Sequence, residues 1–319
     1  MTPDLGAAVA ALAGRTLRDD EPLAVAVSGG SDSLALLRLA HRAFGDRVRA
    51  LTVDHGLRPA AAAEAALVAG YAAALDVSHV TLRWDGPYPA ANLQAAAREA
   101  RYTLMGDWCS TQGVGWLATA HHADDQAETL LLRLARGSGS GGLAGIRARR
   151  SLSSGVEVLR PLLGATKADL AAIVAAAGWI AVDDPSNRAT RFDRTHARTL
   201  LAATPWLDRG RLAASAAHLA EVEAALGWTA EMAWRGHAVV TSDAVTLDAA
   251  GLPRELARRL LLRAVTTLVP GATLRGDGIN RVLRHLAIGS GGTIAGVSVR
   301  ACDSGNGPKW TFKIAAPRR

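Results

Sequence analysis

The feature that most constrains this chain is a rhythm in its first 136 residues, where four short apolar runs alternate with four helical patterns. Residues 23–27, Leu-Ala-Val-Ala-Val, form the first run, and a helical pattern follows over 32–44. The runs at 48–53, 79–84 and 115–120 read as three more strands, and 59–75, 92–111 and 123–136 as the helices after them. Short apolar runs bounded by turn residues are the mark of buried strands. Connections that contain a whole helix do not make hairpins, so the strands are expected to lie parallel with helices packed on the sheet. The expected fold class is therefore α/β, a doubly wound and mostly parallel sheet. Such sheets bind ligands at the carboxyl ends of their strands. That points to the residues after Val27, after Val53 and after Ala120.

Beyond these residues the pattern changes. Residues 137–145, Gly-Ser-Gly-Ser-Gly-Gly-Leu-Ala-Gly, are expected to be a mobile loop near the site. A strand at 156–159, a helix at 167–177, a loop marked by Pro185 and Asn187 and a helix at 194–201 complete a first domain. Its boundary is placed at Thr204-Pro205-Trp206, giving domains 1–205 and 206–319. The second reads as a smaller α+β domain: a long helix over 208–234, strand signals at 238–247, helices at 254–268 and 277–287, and a hairpin within 293–314. With 319 residues, 49% of them hydrophobic, the chain can build two cores. The net charge of +7 favours a polyanionic partner, nucleic acid first. Cys109 and Cys302 are the only cysteines and neither belongs to a CxxC pair, which leaves no ligand set for a zinc ribbon or an iron–sulfur cluster. The start lacks a basic segment followed by an apolar one, and the alanine-rich stretches are too interrupted to span a membrane. A cytoplasmic protein is expected.

The chemistry-bearing residues begin with Ser28-Gly29-Gly30-Ser31-Asp32-Ser33, between the first strand and its helix. Small residues there let backbone approach a phosphate, and the N–H groups of the helix start, at the positive end of its dipole, hold an anion. Ser28, Ser31 and Ser33 add hydroxyl donors. Asp32 would repel phosphate unless a cation such as Mg²⁺ lay between them. The bland alternative is an ordinary strand-to-helix turn with a polar cap. The stretch lacks the GK[ST] ending of a Walker A loop and is not GxGxxG.

This loop resembles the pyrophosphate loop of the N-type ATP pyrophosphatases, the adenine nucleotide alpha hydrolase-like fold, whose members cleave ATP between its α- and β-phosphates and adenylate an oxygen. Three further stretches narrow the resemblance: Asp54-His55-Gly56-Leu57-Arg58, His121-His122-Ala123-Asp124-Asp125-Gln126-Ala127-Glu128-Thr129 and Asp183-Asp184-Pro185-Ser186-Asn187. With Arg133-Leu134-Ala135-Arg136-Gly137 and Arg160-Pro161-Leu162-Leu163, they are similar in type and order to the tRNA(Ile)-lysidine synthases over about residues 20–200. The second domain matches only in general pattern, and no counterpart of the further C-terminal domain of longer members is read here.

The resemblance implies an ATP- and Mg²⁺-dependent ligase joining free L-lysine to the wobble cytidine of tRNA(Ile) with anticodon CAU. It implies ATP contacts from Ser28, Gly29, Gly30, Ser31, Asp32, Ser33, Asp54, His55, Arg58 and His121, with Asp32 as a magnesium ligand. Asp32, Asp124, Asp125 and Glu128 would be the catalytic carboxylates, and Asn92, Arg98, Arg101, Arg133, Arg136, Arg194 and Arg198 the substrate or tRNA contacts. Which of Asp124, Asp125 and Glu128 takes a proton from lysine is left open, because each also suits a metal or an ammonium group. Read alone, Asp124-Asp125 is a charge pair at a helix start, and Arg98 and Arg101 are a solvated helix face. After Arg194 the family shows Asn, whereas Thr195 stands here. The rival readings are another tRNA-modifying enzyme of the same fold, a thiolase above all, and a non-catalytic nucleotide- or tRNA-binding protein. Thiolases carry paired cysteines that this chain lacks.

Overall fold

A computed structural model describes residues 2–56, 61–89, 91–182, 193–274, 276–303 and 307–315. Arg58 and residues 183–187 lie outside the described residues. The chain divides into two compact units, Met1–Ala220 and Glu221–Arg319. The division falls within a long helix, Arg209–His237, which the turn at Thr204-Pro205-Trp206 precedes.

The first unit is built on a six-stranded sheet. Its strands are β1 (Leu23–Ala26), β2 (Val48–Asp54), β3 (Ser78–Arg83), β4 (Trp116–Ala118), β5 (Arg149–Ser151) and β6 (Glu157–Leu159). They lie in the order β3-β2-β1-β4-β6-β5. All pairings are parallel except that of β5 with β6. Helices α1 (Leu5–Ala13), α2 (Ser31–Phe44), α3 (Ala61–Ala74), α4 (Leu93–Thr111), α5 (Ala123–Ala135), α6 (Ser140–Leu143), α7 (Lys167–Ala176) and α8 (Asp193–Ala203) connect them.

β1 shows why the sheet is wound on both faces. Leu23, Ala24 and Val25 are completely buried. Successive strand residues point to opposite faces. Leu23 and Val25 join one core with Leu34 and Leu37 of α2, Val68 of α3 and Leu170 of α7, and Ala24 joins another with Tyr102, Met105 and Cys109 of α4. Strand order reverses at β1, with β2 and β3 on one side and β4 and β6 on the other. The chains leaving β1 and β4 therefore diverge and open a crevice at the carboxyl end of the sheet.

Two features depart from the sequence expectation. Residues 137–145 are not a loose loop. They contain α6, and the segment ends where Gln126 clamps Ile146, accepting its N–H at 2.6 Å and donating to its carbonyl at 3.2 Å. Gly145, at φ +71°, packs against this carboxamide, so that a Cβ there would overlap Gln126 Oε1. Second, β5 is an antiparallel edge strand of exposed residues that no hydrophobic pattern announced.

The second unit carries an antiparallel sheet of β7 (Ala238–Val240), β8 (Ala244–Asp248), β9 (Gly291–Ile294), β10 (Val297–Asp303) and β11 (Pro308–Ile314), in the order β7-β8-β11-β10-β9. Helices α10 (Arg254–Leu268) and α11 (Gly276–Ala287) bury Leu260, Leu261, Val282 and Leu286 in one core with Val245, Leu247, Val299 and Phe312 of the sheet. The long helix is α9 in this numbering. Arg259 pairs with Glu223 and Glu255, and Arg258 with Glu255, so these two arginines are held within the unit. Arg254, Arg281 and Arg284 are exposed. Of the eight tryptophans, Trp84 and Trp310 are buried, whereas Trp206 and Trp228 are open to solvent.

Candidate active site

The loop after β1 takes its shape from two glycines and three serines. Gly29 adopts φ +85°, a left-handed conformation that suits glycine. A Cβ at Gly29 would also press on Val182 Cγ2 at 3.0 Å. Gly30 is the N-cap of α2 and supplies no side-chain cap, so the first-turn N–H groups have no side-chain partner there. Within the loop, Ser33 Oγ accepts from the Ser28 N–H at 3.0 Å and donates to the Gly30 carbonyl at 2.9 Å. Ser31 Oγ donates to Asp32 Oδ1 at 3.1 Å. The result is a set cradle of backbone and hydroxyl groups at a helix N-terminus, which is a physical anion site.

Across the crevice, α5 begins with an uncommon cap. His122 is the N-cap residue: its Nδ1 accepts the Asp124 N–H at 3.2 Å, while Asp125 Oδ2 accepts the His122 N–H at 3.2 Å. His122 is buried, with Nε2 3.4 Å from Asp32 Oδ2 and 3.7 Å from Asp125 Oδ2. Burial pushes its pKa down, but hydrogen bonding to Asp32 and the charges of Asp125, Asp32 and Asp124 outweigh it, and the net shift is upward. Burial likewise pushes the Asp32 carboxyl up, yet His122, the Lys167 charge and the Ser31 hydroxyl bring it below the ordinary value. Burial drives the neighbouring His121 down to about 3, opposed by Asp125 and helped by the charges of Arg160, Arg98 and Arg194. His121 Nδ1 lies 3.0 Å from Thr119 Oγ1.

The remaining carboxylates differ in how far they are committed. Asp124 Oδ1 accepts the Lys167 N–H at 3.0 Å and Oδ2 faces Arg209 Nε at 3.1 Å. Glu128 is buried one turn further along α5; its Oε1 receives Arg198 Nε at 2.6 Å, and its Oε2 has no hydrogen-bond partner among the described residues. Hydrogen bonding to Glu128 raises the Arg198 pKa in turn.

These groups share one pocket of about 600 Å³ in the first unit. Ser28, Gly30, Asp32, Ser33, Arg98, Arg101, His121, Asp124, Asp125, Glu128, Arg194 and Arg198, all expected from the sequence, line it. Others stand apart from that lining. Asp54 caps a turn by accepting the Gly56 N–H at 2.8 Å. His55 is tied to Arg101 Nη2 at 3.1 Å and lies edge-on to Trp84. Asn92 starts α4 with φ +58°, and Arg133 and Arg136 are exposed at the end of α5. Three basic lining residues were not among the expected site residues: His122, Lys167 and Arg209. His122 could have been found as the residue directly before a helix; nothing local marks Arg209.

A magnesium ion is usually held by one or two carboxylates together with phosphate oxygens. Asp32, beside the loop and facing the pocket, fits that donor set. Among the described residues no three His, Cys, Asp or Glu side chains group as an all-protein metal cage.

A crevice at the β1/β4 reversal, a serine–glycine cradle on one lip and carboxylates on the other define an ATP-using enzyme of the PP-loop class. Residues 3–204 match the PP-loop domain family. The chain is 44% identical over 301 residues to a tRNA(Ile)-lysidine synthase of Zymomonas mobilis, covering 93% of this chain and 89% of that one. It is 44% identical to another, from Novosphingobium aromaticivorans, over 92% and 89% of the two chains. A U34-tRNA thiolase of Methanococcus maripaludis, solved with its [4Fe-4S] cluster, shares the fold at 15% identity and a TM-score of 0.56, covering 68% of this chain and 78% of that one. The chain belongs to the tRNA(Ile)-lysidine synthase family.

Proposed function

We propose that this pocket adenylates the wobble cytidine of a tRNA(Ile) with anticodon CAU and then joins free L-lysine to it. The observation that carries the reading is the meeting, in one pocket, of the loop at residues 28–33 with Asp32, Asp125 and Glu128. Cytosine C2 is a poor electrophile because its oxygen is a poor leaving group. Attack of that oxygen on the ATP α-phosphorus forms the new P–O bond and expels pyrophosphate. Backbone N–H groups of the α2 start and the serine hydroxyls stabilise charge on the departing group. Bound Mg²⁺ would supply further charge neutralisation at the phosphates, with Asp32 holding it.

In the second step the lysine ε-nitrogen bonds to C2 and the C2–O bond breaks, releasing AMP. The amine must first give up a proton. Asp124 is engaged at both oxygens, and Asp125 is drawn into the α5 cap. Glu128 is the carboxylate with an oxygen to spare, and it is assigned the ε-ammonium and its proton. Arg98, Arg101 and Arg194 at the pocket suit RNA phosphates. Exposed Arg254, Arg281 and Arg284 suit the same role on the second unit. The reading places the chain in the cytoplasm; among the described residues no helix is long and apolar enough to cross a membrane.

A thiolase reading lacks support from the cysteines, since Cys109 is buried in α4 and Cys302 lies in β10 of the other unit. The test is incorporation of radiolabelled lysine into unmodified tRNA(Ile) with anticodon CAU. Labelling that needs Mg²⁺-ATP and vanishes when the wobble cytidine is replaced is expected. No labelling by folded protein would overturn the reading.

A further inference from the structure

His122 stands where the two lips of the crevice meet, and its two ring nitrogens do different work. As the α5 N-cap, Nδ1 accepts the Asp124 N–H. A ring nitrogen that accepts an N–H presents its lone pair, so the ring proton resides on Nε2. Nε2 in turn points between Asp32 on α2 and Asp125 on α5, 3.4 and 3.7 Å away. The helix cap thereby selects the tautomer whose N–H lies between two carboxylates. Without that proton, two like charges would face each other across the crevice and repel.

We propose that His122 is a positioning residue for the adenylation step, its Nε2–H holding the Asp32 carboxylate against Asp125 and so in place beside the phosphate loop. The proposal rests on the adenylation reading given above. It assigns His122 no contact with substrate and no proton transfer. Its effect is to keep Asp32 from turning away when the pocket fills.

Two substitutions separate this role from simple helix capping. In His122→Asn the side-chain oxygen takes the place of Nδ1, and Asn is among the best N-caps, but it is too short to present a donor at the position of Nε2. In His122→Gln the amide nitrogen reaches that position while the cap is lost. His122→Asn is expected to melt like wild type and to form adenylated tRNA with kcat lowered about 10- to 100-fold, the scale of one hydrogen bond to a charged group, at nearly unchanged KM for ATP. His122→Gln is expected to melt lower and yet recover part of kcat. Activity that instead follows stability, with His122→Asn active and His122→Gln impaired, would overturn the proposal. A second measurement does not depend on turnover. Histidine ¹⁵N NMR of the wild-type protein, with His122 assigned by its loss in His122→Asn, is expected to show a proton on Nε2. A ring with its single proton on Nδ1, leaving Nε2 bare, would overturn the proposal even if the protein proved inactive, and inactive wild type with a proton on Nε2 would sink the adenylation reading and this role with it.

Discussion

Replacing Gly145 by alanine tests how firmly α5, through Gln126, is tied to the glycine-rich segment. Gly145 sits at φ +71°, where a side chain costs about 1 kcal/mol. Its new Cβ would overlap Gln126 Oε1 and approach Gln126 Cδ at 3.2 Å and Ala216 Cβ at 3.3 Å. Gln126 is buried, so its carboxamide can yield only by giving up the bonds to the Ile146 N–H and carbonyl. At about 1 kcal/mol net for each bond, Gly145→Ala should destabilise the protein by about 3 kcal/mol. Gln126→Ala loses the same two bonds without the backbone strain, about 2 kcal/mol. The bonds can be lost only once, so the double variant should fall about 2 kcal/mol short of the sum of the singles. Urea unfolding of the four proteins of this cycle measures the coupling. A Gly145→Ala variant within about 0.5 kcal/mol of wild type, or singles that simply add, would refute the clamp and return residues 137–145 to the mobile loop that their composition suggests.

Asp32→Asn is expected to abolish formation of adenylated tRNA while leaving tRNA binding by gel shift largely intact; surviving activity would remove Asp32 from the magnesium role. Glu128→Gln should still adenylate the tRNA yet transfer lysine at least about 100-fold more slowly, within the usual range for losing a general base; equal loss of both steps would move the proton-accepting role elsewhere. His121 gives a pH dependence. Its folded pKa of about 3 lies below the 6.5 of an unperturbed histidine, so as pH falls the unfolded chain takes up a proton first. The stability linked to His121 is full above about pH 6.5 and is lost progressively towards pH 3, with about 2 kcal/mol gone by pH 5. His121→Gln should flatten that part of the stability profile, and an unchanged slope between pH 7 and pH 5 would show that the half-buried ring is not its source.

What could be read from the sequence was what short-range pattern encodes. The alternation of strand-like runs with helical patterns located β1 to β4 and α2 to α5 to within a few residues: β1 and β4 are apolar because the sheet interior buries them, and the partly exposed edge strand β3 alternates polar and apolar residues. The helix α1 escaped notice in an alanine-rich stretch whose only local signal is the Asp4 cap. β5 was illegible because an exposed three-residue edge strand has no apolar face to repeat. The loop at residues 28–33 and the acidic start of α5 were visible as motifs, but their meeting follows from strand order, which no local pattern states. Arg209 shows the limit most plainly: it reaches Asp124 from a helix 85 positions away in sequence, by subtraction of their numbers.

The strand order also sets a schedule for synthesis. β1 leaves the ribosome before every other strand of its sheet and belongs at the middle of that sheet. One neighbour, β2, follows soon, but β4, which must cover the other side, is made about 90 residues later, a wait on the order of 5 to 20 seconds at ordinary elongation rates. Through that interval the nascent β3-β2-β1 ribbon offers an apolar, unpaired border. The strand that anchors the phosphate loop thus spends that interval with one edge open to wrong partners until β4 arrives.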